Sequence, residues 1–254
     1  MRKRFEDILM RFVDYQGSTI DKTISERDDM FDHGLEQYLT VGLSAVYVIS
    51  HAMMLTGLTR FHNVLDLPCG FGRVLRHLVK FLPESHIVAC DLNKEAVDFC
   101  RKTFNVEGIY SKERFDDIKF DSTFDLIWCG SLLTHLKEER FREAIKLFVR
   151  SLSDGGVAII TLIGRFTPTV QEKYLKLLPD ERFAEAMRGF LDRGFGFKEY
   201  EGYENYGISL SSPSFVLGVV EKIPEIQISC YSEREWVGFH DVLMITKKPI
   251  SKEF

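Results

Sequence analysis

The sequence predicts an α/β protein, a doubly wound and mostly parallel sheet of seven strands, and three observations predict it. Strand and helix patterns alternate from about residue 63 to residue 162, which builds parallel strands joined by right-handed crossovers. A turn with two glycines links the first strand to its helix, in the stretch VLDLPCGFGRVLRH at residues 64–77. Two further strand patterns close the chain, joined by a link of hairpin length.

The elements follow in order. Phe5, Ile8, Leu9, Phe12 and Val13 recur at helical spacing. Residues 16–32 are polar and charged and read as a loop or broken helix. Residues 35–55 are strongly apolar and helical. Residues 1–60 thus form a helical cap, which either covers a ligand cleft or serves packing only. Residues 61–254 form the main domain. In it, residues 64–67 are the first strand and 74–81 lie on the helix after it. Residues 87–90 are the second strand, 94–103 a helix, and 108–110 a weak third strand. Residues 124–129 are the fourth strand and 138–152 a helix. The turn Asp154-Gly155-Gly156 leads into the fifth strand at 156–162. An insertion then occupies about 165–212. It is largely helical over 170–190, and 189–207 carries five glycines and several aromatics, which suggests a loop or hairpin. A short helix at 214–221 precedes two strands, 225–231 and 241–246, linked by 232–240.

Composition narrows the function classes. A chain of 254 residues fits one generous domain, or a domain with appendages. The net charge of −5 argues against a nucleic acid as main partner. The basic start Met1-Arg2-Lys3-Arg4 is followed by Glu6, Asp7 and Arg11, which interrupt any signal-peptide core. No stretch reads as a membrane span, so the expected location is the cytoplasm. The five cysteines, Cys69, Cys90, Cys100, Cys129 and Cys230, show no C-x-x-C spacing. They read as buried reduced thiols, with neither a disulfide framework nor a metal site.

The glycine turn carries the chemistry. A strand turning sharply into a helix needs glycine where its backbone passes close to a ligand, and the helix start presents free N–H groups there. Asp91 follows Gly72 by nineteen residues, at the tip of the next strand. A carboxylate so placed suits a ribose diol.

Asp66-Leu67-Pro68-Cys69-Gly70-Phe71-Gly72, Asp91, Phe124-Asp125-Leu126-Ile127-Trp128 and Asp154-Gly155-Gly156 occur in that order. Together they resemble the motifs of the class I S-adenosylmethionine (SAM)-dependent methyltransferases. The resemblance covers residues 64 to about 162, and the terminal strand pair extends it to about 248. The longer string Leu126-Ile127-Trp128-Cys129-Gly130-Ser131-Leu132-Leu133-Thr134-His135 also resembles bacterial methyltransferases of unassigned substrate, some of them near glycan synthesis.

The resemblance implies a Rossmann-like methyltransferase fold with an antiparallel last strand. It also implies SAM as cofactor and S-adenosylhomocysteine (SAH) as product. Gly70 and Gly72, with Pro68, Cys69 and Phe71 in the same turn, would approach the methionine end of SAM. Asp66 would hold the turn and help bind the ammonium. Asp91 would bind both ribose hydroxyls, and Leu92 and Asn93 would border the adenine. Cys129, Gly130 and Ser131, at the tip of the fourth strand, would lie beside the sulfonium. Tyr38, with Gly42 and Ser44, resembles residues that close over SAM. The acid that many relatives carry after the third strand has no clear counterpart, and Ser111 stands there as either an adenine contact or a loop serine.

Methyl transfer expels a neutral leaving group, so alignment of nucleophile and methyl dominates. A base helps when the acceptor is an alcohol, and histidine is the common choice. His135 follows the tip of the fourth strand by six residues, about one and a half helical turns. His240 begins the last strand, which in this family starts at the carboxyl edge of the parallel strands, where ligands bind. Both are candidate catalytic residues, and Asp241 could orient His240. Trp236 and the inserted tyrosines Tyr203 and Tyr206, with Tyr200 beside them, are candidate acceptor contacts or a small satellite core. The expected acceptor is a small molecule or a glycan hydroxyl. Two alternatives stay open: an NAD(P)-dependent oxidoreductase on a related fold, although Leu75 stands at the third glycine of its fingerprint, and a non-catalytic SAM-binding module.

Overall fold

The computed structural model describes residues 2–249. The chain divides into two compact units, with the boundary after Trp128. The first unit contains α1 (Arg2–Gln16), α2 (Leu35–Thr56), β1 (Asn63–Asp66), α3 (Leu75–Phe81), β2 (His86–Asp91), α4 (Lys94–Phe104), β3 (Glu107–Tyr110) and β4 (Phe124–Cys129), whose last residue crosses the boundary. The second contains α5 (Glu138–Ser151), β5 (Leu152–Ile163), α6 (Thr167–Lys173), α7 (Asp180–Arg193), β6 (Phe195–Glu199), β7 (Gly207–Ser211), α8 (Pro213–Val220), β8 (Ile226–Trp236) and β9 (His240–Lys247). The strand order is β3-β2-β1-β4-β5-β9-β8, and β6 and β7 form a separate hairpin.

In the first unit β1 pairs in parallel with β2 and β4, and β2 with β3. The order reverses direction between β1 and β4, the kind of switch point where open α/β sheets bind ligands. Val64, Leu65, Ala89, Cys90, Leu126 and Ile127 are all within a few per cent of full burial. Such continuous apolar runs are what a sheet covered on both faces requires. Only β3, at the edge, lacks buried residues. Asn93 starts α4 by accepting from the Glu95 and Ala96 N–H groups.

The N-terminal helices pack within this unit. Phe12 meets Tyr47 at 5.0 Å between ring centroids, and Tyr15 meets Phe81 edge-on at 5.7 Å. Gly57, in the left-handed region, ends α2 and donates to the Met53 carbonyl. The 22 residues of α2 are long and apolar enough to cross a membrane, the one such helix among the described residues, contrary to the expectation that no stretch qualifies. Its inner face, including Tyr38, Ala45, Val46, Ile49 and Met53, is buried within the protein.

In the second unit β9 runs antiparallel to β5 and to β8. His240, the first residue of β9, pairs with Ile163, the last of β5. The Asp154-Gly155-Gly156 segment lies inside β5 instead of preceding it, with Gly155 at φ +79° marking the irregularity. The helical stretch expected over 170–190 is two helices, α6 and α7, broken at 174–179. The terminal strands run further toward each other than expected and leave only 237–239 as a turn. The insertion folds as α7 packed on the β6–β7 hairpin. Their core holds Phe183, Ala186, Ile208 and Leu210. A Cβ on Gly196 would fall 1.9 Å from the Ala186 carbonyl oxygen, so glycine permits that close approach.

Candidate functional site

In the first unit the turn after β1 is pinned to both neighbouring strands. The Leu67 N–H donates to the Trp128 carbonyl, and the Cys69 N–H to the Cys90 carbonyl, each at 3.0 Å. The Leu67–Pro68 peptide is cis. Gly70 and Gly72 have φ of +48° and +77°, angles that L side chains rarely adopt. The two glycines serve different ends. A Cβ on Gly70 would meet nothing within 4 Å, so the turn leaves open space beside it. A Cβ on Gly72 would fall 2.4 Å from the Phe104 ring and 3.2 Å from the Cys100 sulfur, so that glycine lets the turn pack on α4. Phe71 is buried and meets Phe99 edge-on.

Two carboxylates face this turn. Asp66 is 1% exposed and neither of its oxygens has a partner. Burial, and then the charge of Asp91, push its carboxyl well above the usual carboxylate range. Asp91 accepts from the Gly70 N–H at 2.8 Å through one oxygen and from the Asn93 N–H at 2.9 Å through the other. Burial raises its carboxyl, and these N–H groups oppose the rise. The carboxylate keeps acceptor capacity for a further donor. An orphaned acid, a second acid with spare acceptors and a cradle a Cβ would fill are what a cationic amino-acid end and a ribose require. The residues present therefore fit SAM.

The surrounding residues add detail to the sequence expectations. Leu92 is half exposed, as a residue beside a base should be. Asn93 also caps α4. Ser111 extends the β2–β3 pairing through its N–H to the Asp91 carbonyl, and its hydroxyl bonds the Cys90 thiol, which burial pushes up to about 12. The Cys69 thiol is held far above its ordinary value, first by a hydrogen bond with Cys100 and then by burial. Such thiols are inert. Tyr38 is buried, and its hydroxyl donates to Asp28.

Arg76 was not singled out by sequence. It is fully buried on α3. Its guanidinium donates to the carbonyls of Gly72 at 3.0 Å, Asp21 at 2.9 Å and Thr23 at 3.1 Å, and lies 5.0 Å from the Tyr38 ring centroid. It fastens the strap between α1 and α2 to the glycine turn. The signal for it was an arginine set between Leu75 and Leu78 on an apolar helix, a place where a cation must find acceptors.

In the second unit the loop after β4 is locked. Ser131, at φ +59°, donates its N–H to the Thr161 hydroxyl at 2.8 Å, and the Thr134 hydroxyl donates to the Ser131 carbonyl. Cys129 is buried, and Gly130 follows it into the loop. His135 closes a short 3₁₀ turn. Its Nδ1 lies 2.8 Å from the Gly207 carbonyl oxygen. A carbonyl only accepts, so Nδ1 carries the proton and Nε2 keeps its lone pair. Burial lowers the imidazole pKa, and the Gly207 bond partly offsets this. The ring stacks on Tyr206 at 4.9 Å and lies 6.0 Å from Tyr200.

His240 is 5% exposed and enclosed edge-on by Trp236 at 4.9 Å and Phe239 at 4.3 Å. Trp236 is itself 2% exposed, so it supports that ring and offers no open face. The Asp241 carboxylate accepts from the Tyr231 hydroxyl at 2.8 Å and the Arg234 N–H at 3.0 Å. Tyr203 and Tyr206 are exposed at the hairpin tip.

The family model for the methyltransferase domain matches residues 64–156, from β1 into β5. Residues 64–156 are thus similar to a methyltransferase domain. Curated proteins match part of the chain. A malonyl-[acyl-carrier protein] O-methyltransferase of Bacillus cereus is 24% identical over 106 residues, 41% of this chain and 39% of that protein. An uncharacterized methyltransferase of Schizosaccharomyces pombe is 24% identical over 96 residues, 34% of each. The matches thus span well under half the length of these relatives.

Solved structures extend the likeness in fold across most of the chain. DesVI of Streptomyces venezuelae aligns with a TM-score of 0.59 at 14% identity, covering 89% of this chain and all of that one. A SAM-dependent methyltransferase of Clostridium acetobutylicum aligns at 0.57 and 13%, covering 87% and 94%. SAM-bound CalS10, an amino pentose methyltransferase of Micromonospora echinaspora, aligns at 0.56 and 15%, covering 82% and 92%. The Asp66–Gly72 turn and Asp91 both lie inside the residues that the family model matches.

Proposed function

We propose that this protein transfers a methyl group from SAM to a hydroxyl of a small-molecule or glycan acceptor. The observation that carries the SAM half is the orphaned Asp66 carboxylate beside the open Gly70 turn. SAM, when bound, supplies an electrophilic methyl on a sulfonium. In this reading Asp66 meets its ammonium, Asp91 accepts from both ribose hydroxyls, and Leu92 covers one side of the adenine. Methyl transfer forms the acceptor O–C bond as the S–C bond breaks, and the acceptor proton goes to a base. His135 is the better base of the two histidines. Its tautomer leaves Nε2 as acceptor, its lowered pKa keeps it neutral near pH 7, and it is less enclosed than His240. Similarity to proteins described as SAM-bound or as O-methyltransferases supports the cofactor and leaves the acceptor open.

The test is transfer of a labelled methyl from SAM into a metabolite and glycan extract. Wild type should label a discrete product. Asp91→Ala should weaken SAH binding by about 1.5–3 kcal/mol in calorimetry. His135→Ala should slow transfer by roughly 10²–10⁴-fold with SAH affinity unchanged. Unchanged SAH affinity in Asp91→Ala would refute the ribose role. Unchanged rate in His135→Ala would leave alignment alone as the source of catalysis.

A further inference from the structure

We propose that the tip of the β6–β7 hairpin is a cation-recognising aromatic site, and that the acceptor it takes bears an ammonium group. Residues 199–206, EYEGYENY, hold three tyrosines and three carboxylates and no lysine or arginine. The tyrosine rings lie close together and mutually tilted. The centroids of Tyr200 and Tyr203 are 6.4 Å apart, those of Tyr200 and Tyr206 5.4 Å, and those of Tyr203 and Tyr206 6.0 Å. A cation seated over this triangle comes within about 6 Å of all three rings, the range in which ring faces attract positive charge. The stacked His135 ring adds a fourth, uncharged wall.

The tip is held in shape before any ligand arrives. The Tyr200 N–H donates to the Tyr206 carbonyl at 3.0 Å, and the Tyr203 N–H to the Tyr200 carbonyl at 3.2 Å. The Glu199 carboxylate accepts from the Asn205 N–H at 2.9 Å. Tyr200 packs on the α7–hairpin core, whereas Tyr203 is 62% and Tyr206 44% exposed. Two of the three rings are thus open to a ligand.

Charge decides the class of ligand. Lys137 pairs with Glu199 at 2.8 Å, Lys198 is held by Glu185, and Arg182 donates to the Glu199 carbonyl. Both lysines are thereby paired, and exposed Glu201 and Glu204 together outweigh the single charge of Arg182 and leave the tip negative. A negative aromatic surface attracts an ammonium, repels a phosphate or carboxylate, and gains nothing from its charge when it meets a neutral sugar. The role in acceptor selection rests on the methyl-transfer reading above. The cation site itself does not.

Amide chemical shifts across residues 199–206 test it, with choline and its neutral isostere 3,3-dimethylbutan-1-ol as probes and SAH titrated into the same samples. Choline should shift these amides saturably, with affinity about tenfold above that of the alcohol. Tyr203→Ala with Tyr206→Ala should abolish the difference, whereas the corresponding Phe pair should keep it. Glu201→Gln with Glu204→Gln should reduce it several-fold. Equal response to both probes, or an unchanged preference in the Ala pair, overturns the inference. SAH binding without choline preference sinks the cation site and leaves the SAM reading intact. Choline preference without SAH binding keeps the site and removes its part in methyl transfer.

Discussion

Asp66 shows how a single side chain carries a cost that a ligand removes. It sits among apolar strands with no donor and with Asp91 as neighbour. Its folded-state pKa is raised, so the folded protein holds a proton that the unfolded chain has lost. Stability therefore falls as pH rises from about 4 toward that raised value. Asp66→Asn keeps the shape and removes the ionisation. The variant should melt higher than wild type at pH 8 without ligand, by the few degrees that about 1–2 kcal/mol gives a chain of this size. The gain should shrink at pH 5, and SAH affinity should drop at both. A variant neutral in stability and in SAH binding would show that Asp66 is already satisfied. The glycine turn and Asp91 were legible because both belong to one local strand–turn–helix–strand unit. That Asp66 lacks a donor was not legible, because the sequence names an acid without saying what faces it.

At the scale of the element, glycines separate helices that touch from helices that do not. A Cβ on Gly42 of α2 would fall 2.2 Å from the His77 ring and 2.4 Å from the Arg73 carbonyl oxygen of the adjacent turn. A Cβ on Gly218 of α8 would meet nothing. Gly42→Ala should lose about 1–3 kcal/mol in denaturant melts, and Gly218→Ala should gain about 0.5–1 kcal/mol. Equal effects would mean that α2 and α3 can slide apart.

His77 joins α1 to α3 by its bond to Tyr15 at 2.5 Å, and burial lowers its pKa from 6.5 to about 4. The unfolded chain binds that proton more readily. Its share of stability is therefore full above pH 6.5 and is lost as pH falls toward 4, up to about 3 kcal/mol. In urea melts between pH 7 and pH 4, wild type should lose up to about 3 kcal/mol more than His77→Gln. Elements with a strong period were legible to within a residue or two, as α5 and β4 illustrate. The β3 edge strand read weakly because it buries nothing. The 3₁₀ turn at His135 was not readable, because the Gly207 carbonyl that fixes the ring lies 72 residues further along.

Across the whole molecule, the doubly wound order was readable from alternation, and the hairpin insertion from its glycines and aromatics. Ligand linkage gives the test at this scale. SAH at about 100 times its Kd should stabilise the chain by about 2.7 kcal/mol, and NADH should not. The reverse result in calorimetric scans would return the oxidoreductase reading.

The strap over the glycine turn has one more consequence. Arg76 holds it through the carbonyls of Asp21 and Thr23, and every residue type, proline included, brings a carbonyl. What residues 21 and 23 must keep for Arg76 is therefore their course through space, not their letters. Homologues can rewrite this segment while the fastening survives, and a protein engineer can graft a new recognition sequence there without touching the arginine that anchors it.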